Sequence, residues 1–282
     1  MDCIMNGLRI DMETAGQTVG DVLSYLDEQA EKSGSIITGI RFGGKQLEAD
    51  EIPALADYPA SVSGLLELVS IPVHEMKTRA LETLLGILSV LAAGSQAADG
   101  SDIRKDLRIY RETYEGLHSG EELSVLDHLS TAAASGKDSQ ETMQNAIRFF
   151  QERLTEVQDP VYAMESARSV FEAIRQDISD VPVRLQTGRE SEGLKTMVLV
   201  IELINKTVRI LPGFLRSMDW DSGFSIQGQE LGSFYGSFND VLRELVSAFE
   251  HKDFVLIGDL AEYEILPRLD LFFDAIQSRR TL

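Results

Sequence analysis

Residues 65–80 read LLELVSIPVHEMKTRA, and the character of the chain changes inside them, at Ile71-Pro72. Up to Val69 the apolar residues come in short runs separated by turn-forming pairs, which suits strands. From Val73 onward they recur every three or four residues, the period of a helix with a buried side. The boundary predicts an α+β domain over residues 1–71 and a mainly α domain over 72–282, with a further subdivision near 182–190.

Working back from the boundary, Cys3-Ile4-Met5 is a short apolar run that meets Asn6-Gly7. That pair is a strong two-residue hairpin signal, because both turn positions need positive φ. Leu8, Ile10 and Met12 then alternate with Arg9 and Asp11. Thr18 is placed to cap a helix, with Asp21 three residues on to complete the box. Val22, Leu23, Leu26 and Ala30 form its apolar side, and Gly34 ends it. A second apolar run, IITGIRF, covers Ile36 to Phe42; Gly43-Gly44 makes a turn, and Lys45-Gln46-Leu47 starts a return strand. The last strand is Leu65 to Val69.

The order hairpin, helix, strand, short segment, strand, with its Asn-Gly turn and the helix start TVGDVL at 18–23, resembles the ubiquitin-like β-grasp fold, most closely its sulfur-carrier branch. The resemblance covers the N-terminal domain and implies a β-grasp-like architecture there. Sulfur carriers act through a free C-terminal Gly-Gly. Here the matching strand continues as Val69-Ser70-Ile71-Pro72 into more protein, and Gly43-Gly44 is internal. What the resemblance then implies is a docking module and not a carrier.

Working forward, eight helical segments follow. The first spans about 73–93, with Met76, Ala80, Leu84, Ile87 and Leu91 on one side and Leu81, Leu85 and Leu88 beside them. Later seams keep the same spacing: Ile103, Leu107, Tyr110, Tyr114 and Leu117, then Met143, Ile147, Phe150, Leu154 and Val157. Met164, Ala167, Phe171, Ile174 and Ile178 form the fifth, starting at Asp159-Pro160, with proline at the favoured first turn. Pro182 and Gly188 bracket a kink or loop, Pro212-Gly213 ends the sixth segment, and Pro267 bends the eighth. Links as short as His251-Lys252-Asp253 predict an antiparallel helical bundle. The run from about Val183, with RLQTG, LINKTVRILP and DFVLIGDLAEYEILPRL, looks like an uncharacterised bacterial helical family, a resemblance that brings no activity with it.

Composition narrows the function classes. The 282 residues carry 46 acids and 26 bases, a formal charge of −20. Phosphate backbones and anionic lipid would both be repelled, so neither a nucleic acid nor a membrane is the expected partner. Residues 1–70 alone hold 12 acids and 4 bases, including the group Glu48, Asp50, Glu51 and Asp57, which reads either as a surface for a basic protein partner or as simple solubility. A homo-oligomer is the alternative arrangement. The most apolar stretch, Leu194 to Pro212, is interrupted by Lys195, Glu202, Lys206 and Arg209 and reads as a core helix. With no signal-peptide pattern at the N-terminus and one cysteine, Cys3, the reading is a cytoplasmic protein without an intramolecular disulfide.

Reactive motifs are sparse. Glu115 and His118 stand three apart, as in one half of a carboxylate-bridged metal site, but no second such pair accompanies them. Asp219, Asp221 and Glu230 match positions one, three and twelve of a calcium loop, but Gly223 and Phe224 occupy positions five and six, where an oxygen and a glycine belong. There is no nucleophile elbow, phosphate loop or dinucleotide fingerprint, so no catalytic residue and no cofactor is assigned. Phe149 and Phe273 each sit beside another phenylalanine, about 100° apart on a helix, which predicts that one of each pair faces a partner. The function read from all this is a non-enzymatic interaction or adaptor protein, serving a bacterial assembly such as a flagellum or secretion system. The alternatives are an enzyme or metal-binding bundle with a hidden site, or a weak calcium sensor through 219–230.

Overall fold

The computed structural model describes residues 1–61, 64–93, 100–114, 116–135, 139–220 and 224–280. They form two compact units, Met1–Leu154 and Thr155–Leu282.

The first unit opens with a mixed sheet. Strands β1 (Asp2–Met5) and β2 (Leu8–Ile10) make a hairpin, with Asn6 at φ +50° and Gly7 at +80° in its turn. Helix α1 (Val19–Lys32) follows, then β3 (Ser35–Phe42), β4 (Lys45–Gln46), the short α2 (Ile52–Ala56) and β5 (Leu65–Pro72). The order across the sheet is β2-β1-β5-β3-β4, with β1 and β5 parallel and the other neighbours antiparallel. This is a β-grasp-like arrangement. The α1 start is built as its sequence suggests: the Thr18 side chain accepts from the Asp21 N–H, and the Asp21 carboxylate accepts from the Thr18 N–H. Its apolar side, Val19, Val22, Leu26 and Ala30, is buried; Val22 and Leu26 share a core with Cys3, Ala60, Leu66 and Leu68.

The run SIITGIRF would put Ile37 and Ile40 on opposite faces of a regular strand. Both pack on the core, because the register against β5 slips between Ile37 and Gly39 and the bulge resets the alternation. The Thr38 hydroxyl bonds the Val69 carbonyl at 3.3 Å, inside the bulge. Gly43 and Gly44 both have positive φ in the following turn.

β5 ends at Pro72 and α3 (Val73–Ala93) begins at the next residue, so the change read at 71–72 is a strand running directly into a helix. Helices α4 (Gly100–Thr113), α5 (Gly120–Ser135) and α6 (Ser139–Gln158) follow, the last crossing the boundary between the units. Ala80, Leu81, Leu84 and Leu88 of α3 are buried, as are Leu107 of α4, Leu126 of α5 and Phe150 of α6.

The second unit holds α7 (Pro160–Ser179), α8 (Val181–Gln186), α9 (Glu190–Ser217), a two-strand hairpin of β6 (Ser225–Ile226) and β7 (Gln229–Glu230), and α10 (Leu231–His251). A last continuous rod comprises α11 (Phe254–Asp259), a π-helical turn (Leu260–Ile265) and α12 (Leu266–Arg280). Two expectations are corrected here. Residues 182–186 are helical, in α8, which is wedged close against its neighbours. An added Cβ at Gly193 of α9 would lie 2.8 Å from Leu185, and one at Gly258 of α11 would lie 3.0 Å from the Pro182 backbone. Second, α9 runs through Pro212 to Ser217. The helix carbonyl that Pro212 leaves without a donor belongs to Val208, an exposed residue. Pro267 follows the π turn, in which the Leu266 N–H reaches back five residues to Ala261, and the Arg268 guanidinium donates to the Glu264 carbonyl at 2.9 Å.

Candidate functional site

A buried set of ionisable side chains lies in the first unit, where α3, the end of α4 and the start of α5 meet. The local cause is a capping box. Ser119-Gly120-Glu121-Glu122 places a serine at the start of α5 and a glutamate three residues on. The Glu122 N–H donates to Ser119 Oγ at 3.3 Å, and the Ser119 N–H donates to Glu122 Oε2 at 2.9 Å. The box turns the Glu122 carboxylate inward, where its side chain is only 2% exposed.

Helix α3 and the turn before α5 then supply its partners. Lys77 of α3 bonds Glu122 through Nζ and also donates to the Leu117 carbonyl at 2.6 Å. His118, equally buried, sets Nδ1 at 3.2 Å from Glu122 Oε2 and Nε2 at 2.8 Å from the Tyr110 hydroxyl. The carboxylate can only accept, so Nδ1 carries a proton toward it, and the second ring nitrogen is left to share a hydrogen bond with the Tyr110 hydroxyl. Burial pushes the Glu122 carboxyl up, but the hydrogen bonds from His118, Lys77 and the Ser119 N–H, with the Lys77 charge, outweigh it and hold the group down at about 2. Burial, with the Glu122 charge adding to it, pushes the Tyr110 phenol well above its ordinary value.

A cleft of about 250 Å³ opens beside this set, lined by Arg111, Glu112, Tyr114, Gly116, His118 and Leu123. Tyr110, the end of the relay, is 2% exposed and stays protonated. The chain carboxylate–imidazole–phenol thus has the order of an acid–base relay, yet it spends its donors and acceptors on itself. It can fasten three helices, α3, α4 and α5. His118 was paired in sequence with Glu115, which lies outside the described residues; its observed partner is Glu122, four residues after it.

The partner-facing phenylalanines separate. Phe149 of α6 is half-buried and lines a groove of about 470 Å³ with Val125, His128, Leu129, Thr142 and Asn145. The Arg153 guanidinium lies 4.4 Å from its ring centre and reaches Glu121 at 3.0 Å. Phe273 is not at the surface. It is 3% exposed and stacks on Phe171 of α7 at 5.0 Å, while Phe272 meets Tyr235 of α10. Helix α12 is covered on both sides, so both adjacent rings are buried.

The 219–230 stretch departs from a calcium loop. Asp221 lies outside the described residues. Ser225 pairs with Glu230, and Ile226 with Gln229, in a hairpin that turns at Gln227-Gly228. Position twelve is therefore strapped to position seven instead of wrapping around a cation. Trp220 and Phe224 stack at 5.7 Å, with Arg279 above both rings. Among the described residues, no group of three His, Cys, Asp or Glu is placed to hold a metal. In the same unit, Asp240, Glu244, Asp259, Glu264 and Arg268 line an open cleft of about 490 Å³ at the π turn, and Tyr263 stands exposed at its side.

Residues 162–274 match a family model, the Domain of unknown function (DUF8042). The matched stretch lies within the second unit and includes the runs RLQTG, LINKTVRILP and DFVLIGDLAEYEILPRL. No curated protein and no solved structure matches the chain.

Proposed function

We propose that the chain is a non-enzymatic, cytoplasmic interaction protein: an acidic adaptor whose N-terminal module, ubiquitin-like and nearest to a sulfur carrier, docks a basic protein partner. The observation that carries this reading is the passage from β5 into α3 without a single intervening residue. In a carrier the corresponding end is free and holds the reactive Gly-Gly. Here it is the root of a helix, so what is left to the module is its surface. That surface is strongly acidic, with 12 acids to 4 bases in residues 1–70, and Glu48, Asp50 and Asp57 on it are exposed. No helix of the described residues is long and apolar enough to cross a membrane. A bacterial assembly such as a flagellum or secretion system is the setting in which such adaptors are used.

The test is affinity capture with the full chain and with a Glu48→Lys, Asp50→Lys, Asp57→Lys variant. The wild type should retain a basic protein at low salt, and the variant should lose it. An identical set of captured proteins for both chains would contradict the reading.

A second reading, acid–base chemistry at the α3–α5 cleft, is favoured by the Tyr110–His118–Glu122 order. It requires that a small molecule added to the protein perturb the His118 ring signals in an NMR spectrum. Silence of those signals across a metabolite panel counts against it.

A further inference from the structure

The Asn6-Gly7 turn carries chemistry that neither the fold nor the proposed docking uses. We propose that Asn6 is a site of spontaneous deamidation, held closed by its bonds to Ser70 while the N-terminal sheet is folded. The chain has four asparagines, and only Asn6 precedes a glycine; Asn145, Asn205 and Asn239 precede Ala, Lys and Asp. Gly7 has no Cβ, so nothing shields its backbone nitrogen from the Asn6 carboxamide. After that nitrogen gives its proton to a solvent base, it bonds to Asn6 Cγ. The Cγ–Nδ2 bond breaks, and Nδ2 leaves as ammonia with a proton from water. Water then opens the five-membered imide at either carbonyl. The product is aspartate or its isomer with the backbone routed through the side chain, and either adds one negative charge.

In the folded sheet the carboxamide is held away from this path. Its Nδ2 donates to the Ser70 carbonyl and to Ser70 Oγ, both at 3.0 Å, and its Oδ1 accepts from the Ser70 N–H at 2.9 Å. The Asn6 N–H is itself tied to the Leu68 carbonyl at 2.9 Å. To form the imide, the side chain must leave β5 and swing toward Gly7, so the reaction runs through an opened sheet end. The product cannot close it again. A carboxylate donates nothing to the Ser70 carbonyl and faces it as a second acceptor, in a place where Ser70 is buried. The partner that Asn6 loses, Ser70, lies two residues before Pro72, where the sheet hands over to α3. The turn is thus a one-way recorder of how often this end opens.

The test incubates the full chain at mildly alkaline pH, folded and in urea, and follows each asparagine by peptide mass spectrometry. Unfolded wild type should deamidate at Asn6 ahead of the other three, and folded wild type should do so far more slowly. Ser70→Ala removes one of the three restraining bonds and should react roughly fivefold faster than wild type when folded. Should that variant not fold by circular dichroism, the comparison of folded with unfolded wild type decides alone. Equal rates in the folded and unfolded wild type, or no reaction at Asn6 in the unfolded chain, would overturn the proposal.

Discussion

Glu122 gathers three donors, Lys77 of α3 and, from the turn before α5, His118 and the Ser119 N–H. A buried carboxylate with a lysine partner contributes little net stability against an apolar substitute, yet removing one member alone leaves a charge stranded. Lys77→Met should therefore lower unfolding free energy by about 3–5 kcal/mol, measured by urea denaturation of the full chain. The pH dependence has a definite sign. The folded state holds Glu122 near about 2, below its ordinary 4.5, so its contribution is complete above about pH 5 and drains away as pH falls toward 2. That contribution is worth about 3 kcal/mol. Glu122→Gln should flatten the acid limb of the stability profile between those values, and a limb as steep as wild type would show that Glu122 is not clamped as described.

The elements divide by how local their causes are. The hairpin at Asn6-Gly7, the Thr18 box and the Gly43-Gly44 turn were legible in the sequence, since each is decided within four residues. The Thr38 bulge was not, because it exists only to keep Ile37 and Ile40 on one face against β5. Nor were the helical course of 181–186, the passage of α9 through Pro212, or the π turn ahead of Pro267, where tertiary packing overrides a local breaker. The polar cluster was half legible: the Ser119–Glu122 spacing marks a capping box, but nothing sequential joins it to Lys77 or Tyr110. The burial of Phe273 was hidden for the same reason, since it depends on α7 and α10 covering both sides of α12.

Glycine substitutions test this packing with opposite signs. In Gly258→Ala the new methyl meets the Pro182 backbone at 3.0 Å, and overpacking of this kind costs about 1–3 kcal/mol. Gly86 lies in α3 with nothing within 4 Å, so Gly86→Ala should stabilise by about 1 kcal/mol through helix propensity. Thermal unfolding of both variants reads the difference directly; two shifts of the same sign would mean the α8–α11 contact is looser than described.

At the scale of the molecule, the charge of −20 and the fusion of β5 to α3 say the same thing. On the proposed reading the N-terminal module acts through its acidic surface, since its last strand runs straight into α3. An acidic docking surface must also be salt-sensitive, because exposed charges lose most of their reach beyond a Debye length of roughly 10 Å at 0.1 M salt. The most direct test is partner capture by the full chain at low and high salt, beside the Glu48→Lys, Asp50→Lys, Asp57→Lys variant. The account expects a basic protein that is held at low salt, released at high salt and missed by the variant. A partner held equally by both chains at every salt concentration would contradict it.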